Sequence, residues 1–272
     1  MTNTQDLQVL KARLKATWMA GDSGEVARYS EDEAERFIAR RGNIRGFRLL
    51  DVACGTGNLS LPAACNEALV TGLDIAPNLL DQARARAREA GLHIHYDEGD
   101  AEALPYPDGS FDLVVSMFGA MFAPRPEQVA TELIRVCRPQ GSQIVMANWT
   151  PRGFIGEMFR LTAAHIPPPP GMPPPVLWGD EATVRQRLGQ GIGELCYTPV
   201  LMPIQLPFTV LETIEFYRSY YGPTQKAFAA LSVDGQDALR CDLHDLWTRH
   251  NQATDGSVRV EAEYLEVVAT LA

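Results

Sequence analysis

The stretch Leu49-Leu50-Asp51-Val52-Ala53-Cys54-Gly55-Thr56-Gly57 decides how the rest of the chain is read. Its apolar residues predict a strand over Phe47–Ala53, a turn of small residues follows, and a helix is predicted over Asn58–Glu67 with Pro62 tolerated near its first turn. Gly55 and Gly57 permit backbone torsions, and a ligand approach, that a Cβ blocks. The start of the next helix presents free N–H groups. In an open α/β sheet, ligands sit at the carboxyl ends of the strands, beside such a turn. A tight turn that holds no ligand has the same local sequence, so a second signal is needed.

It lies one strand–helix unit further on. Leu69–Asp74 reads as a second strand, and Thr71-Gly72-Leu73-Asp74 leaves a carboxylate at its end. A carboxylate there accepts both hydroxyls of a ribose, as dinucleotides and adenosyl ligands require; the alternative is that Asp74 only caps the next helix through Pro77. That helix is predicted over Leu79–Ala90, ending at Gly91. Strands are then predicted over Leu92–Tyr96, Phe111–Met117 and Gln143–Asn148, with a helix over Pro126–Val136. Strands and helices alternating at these spacings predict a parallel sheet with right-handed crossovers. Asp100, in Glu98-Gly99-Asp100-Ala101, falls at the third strand end, where it can accept from an adenine amino group.

The flanks read differently. Residues 5–41 are predicted to be helical, with Leu7, Leu10, Leu14 and Trp18 at helical spacing, a break at Gly21-Asp22-Ser23-Gly24, and Ser30 capping a second helix to about Arg40. After Thr150 come the proline-rich stretches Pro167–Pro170 and Pro173–Pro175, predicted to be extended, and a helix over Glu181–Leu188. Cys196–Val210 carries three prolines among alternating apolar residues and fits an edge strand. Helices over Glu212–Tyr220 and Gln236–His250 and a strand over Val258–Val268 complete the chain. No repeat or domain boundary is visible. One domain over 1–272 is expected, with a core at about 45–150 and cap and lid segments at 1–45, 150–180 and 211–255.

A net charge of −10 argues against nucleic acid, because an acidic chain gains nothing from counterion release. Arg84, Arg86 and Arg88 read as a solvated helix face. Five cysteines without a Cys-x-x-Cys pair argue against a disulfide framework and a zinc site, and suit a reducing cytoplasm. The polar start of the chain lacks an apolar signal core, and no apolar run is long enough to span a bilayer, so no membrane association is expected. His93 and His95, expected on one face of the third strand, lack a third ligand, and no metal is expected. Oligomeric state is not readable.

Taken together, Leu49–Gly57, Asp74, the 98–112 segment and Arg138-Pro139-Gln140-Gly141 resemble the class I S-adenosylmethionine (SAM)-dependent methyltransferases, in the broad group that includes ubiquinone and menaquinone biosynthesis enzymes. The resemblance is close over about 45–150. It implies a doubly wound, mostly parallel seven-stranded sheet whose last strand is antiparallel, with a helical N-terminal cap and insertions in the C-terminal half. It implies SAM as methyl donor and S-adenosylhomocysteine as product. It places Asp51 near the methionine amino end, with Ala53, Cys54, Gly55 and Gly57 beside the donor, Asp74 on the ribose, Asp100 and Ala101 at the adenine, and Ile75 and Leu79 packed next to it. Ser116, Met117 and Phe118 would line the transfer site, and Tyr29 would reach the donor from the cap. Two positions depart from the group's usual glycine, Ala53 and Gln140.

The apolar run Ser116–Phe122 and the acidic chain point to a small organic acceptor. The segment Thr150–Gly179, with Trp149 and Phe154 at its start and Trp178 near its end, is expected to form a lid, and His165 within it is the candidate base; Tyr220 and Tyr221 are its rivals. Two other readings stay open. A NAD-dependent oxidoreductase would carry a third glycine where Ser60 stands, and a SAM-binding protein without transferase activity fits the same motifs.

Overall fold

The computed structural model describes residues 4–169, 171–189 and 191–272; Pro170, in the predicted proline-rich stretch, lies outside them. The strands are β1 (Arg48–Val52), β2 (Leu69–Asp74), β3 (His95–Glu98), β4 (Leu113–Met117), β5 (Gln143–Trp149), β6 (Ile192–Leu206) and β7 (Val258–Leu271). They form one sheet in the order β3-β2-β1-β4-β5-β7-β6. β1 to β5 are parallel, and β7 runs antiparallel between β5 and β6, with Val145 opposite Val268 and Val200 opposite Tyr264. This is the mostly parallel seven-stranded sheet that the resemblance implies. The chain winds outward from β1 to β3, returns to place β4 on the other side of β1, and so creates a crevice at the carboxyl ends of β1 and β4.

The helices are α1 (Thr4–Trp18), α2 (Ser23–Ala27), α3 (Glu31–Ala39), α4 (Ser60–Cys65), α5 (Pro77–Glu89), α6 (Pro126–Val136), α7 (Phe154–His165), α8 (Glu181–Leu188), α9 (Val210–Tyr220), α10 (Gly222–Ala229) and α11 (Val233–His250). The central strands are buried almost throughout, as their unbroken apolar runs dictate: Leu49, Leu50, Val114, Val145 and Ala147 expose 0% of their surface. β6 lies at the sheet's edge, which is why it tolerates Pro199 and Pro203.

Several boundaries differ from expectation. The third strand starts at His95, not Leu92, because Gly91 takes a left-handed conformation (φ +67°) and Leu92 N–H closes the end of α5 onto Ala87 O. His93 is therefore outside the strand, and His95 pairs with Asp97 at 2.9 Å. Ser30 does not cap α3 with its side chain; its hydroxyl donates back to Ala27 O. α10 lies between the predicted helices and opens at Gly222-Pro223, since proline fits the first turn. β6 begins four residues before its predicted start, and β7 runs three beyond its predicted end.

The two departures from glycine have a structural signature. Ala53 (φ +57°) and Gln140 (φ +66°) both occupy the left-handed region. An L-residue there costs about 1–2 kcal/mol, partly offset by glycine's larger loss of chain entropy. Gln140→Gly is therefore expected to raise stability by up to about 1 kcal/mol, read as a higher denaturant midpoint. A lower midpoint would show that the Gln140 side chain matters more than its backbone.

Candidate active site

Three loops build the crevice, and Asp74 ties two of them together. Its Oδ2 accepts from Gly55 N–H at 2.8 Å and its Oδ1 from Ala76 N–H at 2.8 Å, so the turns after β1 and β2 share one carboxylate. Each oxygen keeps a further lone pair, and the side chain lines the cleft. Asp51, at the end of β1, is 1% exposed, and Ser60 Oγ donates to its Oδ2 at 2.6 Å. Behind the turn, Arg86 reaches Thr56 O, Asn58 Oδ1 and Glu31 Oε1 at 2.7–2.9 Å. This corrects the reading of Arg84, Arg86 and Arg88 as a solvated face: Arg86 clamps the glycine turn to α3, and Arg84 donates to Tyr96 O.

Of the residues expected from the sequence, Tyr29, Asp51, Ala53, Cys54, Gly55, Asp74, Ile75, Leu79, Asp100, Ala101, Met117 and Phe118 all line one cleft. Three do not. A Cβ on Gly57 would stand 2.7 Å from Tyr96 Oη and 2.8 Å from Leu61 Cδ1, so this glycine permits close packing behind the turn and not ligand approach. Ser116 is 1% exposed; its hydroxyl donates to Val52 O and accepts from Ala120 N–H, which fixes the end of β4. His165 closes α7, and its Nε2 lies 2.7 Å from Asp242 Oδ2 on α11, away from the cleft, so it is not placed to act as a base there.

The cover also differs from the predicted lid. Among the described residues of the 150–180 segment, only those of α7 reach the cleft, through Ile155, Met158 and Phe159. Trp178 is buried elsewhere, with the Arg187 guanidinium over its ring. The cover is α1, through Lys11, Leu14 and Trp18, with Tyr217 of α9 and Tyr221 beside it. None of the described α1 side chains is buried, since the helix spans the opening. Lys11 Nζ bridges Asp100 and Glu102 at 2.5 Å each, and Lys15 pairs with Glu98. Gly222 lets α10 abut α1, because a Cβ there would collide with Thr17 O. Nothing local in the sequence signals these long-range pairings; of the two rival tyrosines, Tyr221 lines the cleft and Tyr220 does not.

The two ends of the cleft differ in chemistry. Asp51, Asp74, Asp100 and Lys11 gather where the loops after β1, β2 and β3 converge. Burial, with the charge of Asp74 adding to it, pushes the Asp51 carboxyl up to about 7 against the lowering effect of Ser60. Burial also raises Asp74, against hydrogen bonds from Ala76, Gly55 and Ile75, and raises the Cys54 thiol well above its usual range. The opposite end is formed by Phe122, Trp149, Ile155, Met158, Phe159, Met202 and Ile204, with the tyrosine hydroxyls as its polar groups. Phe118 stacks on Trp149 at 3.7 Å between ring centres, and holds a left-handed backbone (φ +55°) to do so.

The chain is similar to known proteins over this same region and beyond it. A family model described as "Methyltransferase domain" matches residues 49–141. An uncharacterised protein of Mycobacterium tuberculosis is 36% identical over 270 residues, which cover 98% of this chain and 97% of that one. A demethylmenaquinone methyltransferase of Deinococcus radiodurans is 39% identical over 125 residues, 44% of this chain and 52% of that one. Among solved structures, a putative methyltransferase from Bacillus halodurans superposes with a TM-score of 0.60 at 18% identity, covering 88% of this chain and 98% of that one.

Proposed function

The chain belongs to the class I SAM-dependent methyltransferases, and from that premise we propose that it methylates a small, largely apolar organic acceptor. The observation that carries this reading is the two-ended cleft: carboxylates at the strand ends and an aromatic chamber opposite them. The donor end has the groups that SAM requires. Asp74 has free lone pairs for ribose hydroxyls, Asp51 is an anion source for the methionine ammonium, and Asp100 can accept from adenine. Gly55 is an open cradle, for a Cβ there would meet no atom within 4 Å. Ser60, where a dinucleotide-binding chain carries its third glycine, is fully buried and bonded to Asp51, which favours SAM over NAD.

When bound, SAM supplies an electrophilic methyl on a sulfonium, so little covalent chemistry is asked of the protein. Its residues orient the two reactants and exclude water. Alignment alone can supply roughly 7–11 kcal/mol of the barrier. The α1 cover, held by Lys11, closes the donor end; the aromatic walls dry the other. The whole of 1–272 acts as one unit in this reading, with the cap and insertions forming the chamber.

Calorimetry with SAM, S-adenosylhomocysteine and NADH tests the donor, and label transfer from methyl-tritiated SAM into a panel of small apolar acceptors tests the reaction. Binding of NADH in place of SAM would sink the reading. Tight SAM binding with no transfer to any acceptor would favour a non-transferase role.

The glycine turn offers a sharper check. Gly55→Ala puts a methyl group into the cradle and strains a backbone at φ +54°, at a stability cost of about 1–2 kcal/mol. SAM affinity is expected to fall at least tenfold in a protein that still folds. Gly57→Ala should do the reverse: a larger loss of thermal stability, because Tyr96 and Leu61 must move, with less effect on affinity in the folded fraction. Equal effects on affinity from both variants would remove Gly55 from the donor site.

A further inference from the structure

Phe159, Phe122, Trp18, Tyr221 and Tyr217 follow one another around the acceptor end through edge-on contacts, with ring centres 4.9–5.9 Å apart. All five line the cleft. Tyr217 is 8% exposed and Tyr221 is half-buried, and both hydroxyls lie on the cleft rather than among the buried, unpartnered side-chain atoms of the described residues. Buried tyrosine hydroxyls are ordinarily partnered, because an unmade bond in an apolar surround is costly. Two adjacent hydroxyls on the wall of a cleft, sealed from it by no other group, are therefore placed to bond a ligand that enters it. Tyr29, which lines the cleft too, is close enough to Tyr217 to oppose its ionisation.

We propose that Tyr217 and Tyr221 form a two-hydroxyl clamp on the reacting oxygen of a flat, ring-bearing phenol or enol acceptor. The inference rests on the methyltransferase reading and names its substrate class. Burial raises the pKa of both tyrosines, Tyr217 further through Tyr29 and Tyr221 through Tyr217, so both stay protonated donors across the working pH range. The acceptor end holds no histidine, lysine, arginine or carboxylate among its described lining residues, so no side chain there takes up a proton. The acceptor thus releases its proton to solvent on entry and arrives as an oxyanion. The oxygen–methyl bond forms as the sulfur–methyl bond breaks, and the electron pair of the broken bond stays on sulfur. An anion and a sulfonium become a neutral ether and a neutral thioether. That balance suits an apolar chamber; a neutral amine would instead leave a cation there with no group to take its proton. The aromatic walls accept a ring in edge-on or stacked contact.

The test compares 2-naphthol with naphthalene as probes, both titrated by fluorescence against the full chain saturated with S-adenosylhomocysteine. Wild-type protein is expected to prefer 2-naphthol, and Tyr217→Phe and Tyr221→Phe, which keep the rings, should each lower that preference by about one decade. Naphthalene binding and SAM affinity should not change in either variant. A wild-type protein that binds 2-naphthol no better than naphthalene, or a preference that survives both substitutions, overturns the clamp. If wild-type protein fails to bind SAM at all, the donor assignment falls instead, and calorimetry on the same samples reads that separately.

Discussion

SAM affinity is expected to fall about tenfold for each pH unit below 7, and Asp51 is the reason. Burial holds its carboxyl at about 7 in the free protein, with the charge of Asp74 adding to the effect and the Ser60 hydrogen bonds opposing it. A donor ammonium beside Asp51 needs the carboxylate, so binding below pH 7 must expel a proton, whereas above 7 there is none to expel. Affinity should therefore rise from pH 5 to 7 and then level off. The free protein runs the other way. Its folded-state pKa lies above the ordinary aspartate value, so between about pH 4 and 7 the folded chain holds a proton that the unfolded chain has lost. Its stability is highest below that window and declines as pH rises through it. The thermal shift produced by SAM should thus grow with pH, and Asp51→Asn should flatten the affinity profile. Calorimetry in buffers of different ionisation heat measures the released proton directly; a wild-type affinity that is constant from pH 5 to 8 would disprove the assignment.

Asp74→Ala is expected to be the most damaging substitution at the donor end, and for two separable reasons. Charge-assisted hydrogen bonds to ribose are worth roughly 1.5–3 kcal/mol each, so the loss of even one lowers affinity by about one to two decades. The same carboxylate accepts from Gly55 and Ala76 N–H, both inside the fold, and leaving each unmade costs about 1–3 kcal/mol of stability. The proposed ribose contact ties Asp74 to binding, and its two N–H bonds tie it to folding. A 2′-deoxy analogue of S-adenosylhomocysteine separates the two. Wild-type protein should bind the analogue more weakly than the parent, and the variant, assayed cold where it remains folded, should no longer distinguish them. A folded variant that still discriminates would take Asp74 off the ribose.

What the sequence disclosed and what it concealed divide along physical lines. β1, β2, β4 and β5 carry apolar runs bounded by turn residues, which is a local signal, and the ends of parallel strands are where the connectivity of an α/β sheet puts clefts. Asp74, at the end of β2, and Asp100, just past the end of β3, were legible as cleft residues for that reason. His165 was not: its partner Asp242 is 77 positions away, and nothing local shows that α7 turns this ring toward α11. Tyr217 lies on α9, whose pattern is that of any amphipathic segment, Tyr221 lies at the junction of α9 and α10, and only the meeting of α9, α10 and α1 places them on the cleft. Arg86 read as solvated because periodicity reports which face a residue is on, not what that face is pressed against. Ala53 and Gln140 were noticed only as departures from a pattern; their positive φ explains why the pattern prefers glycine.

The antiparallel insertion of β7 between β5 and β6 also bears on how the protein is made. While the chain leaves the ribosome, β5 is complete long before Val258–Leu271 exists, and its bare edge, with Ile144, Val145 and Met146, has no neighbour on that side. At about 5–20 residues per second, the interval from Trp149 to Leu271 is on the order of ten seconds. During that time the nascent chain presents an unpaired apolar strand to anything nearby. β6 is synthesised within the same interval but does not pair with β5, so it offers no protection. Trigger-factor-like chaperones that shield emerging apolar segments are therefore expected to raise the soluble yield of this chain in translation reactions, and a circular permutant that starts at β7 is expected to depend on them less.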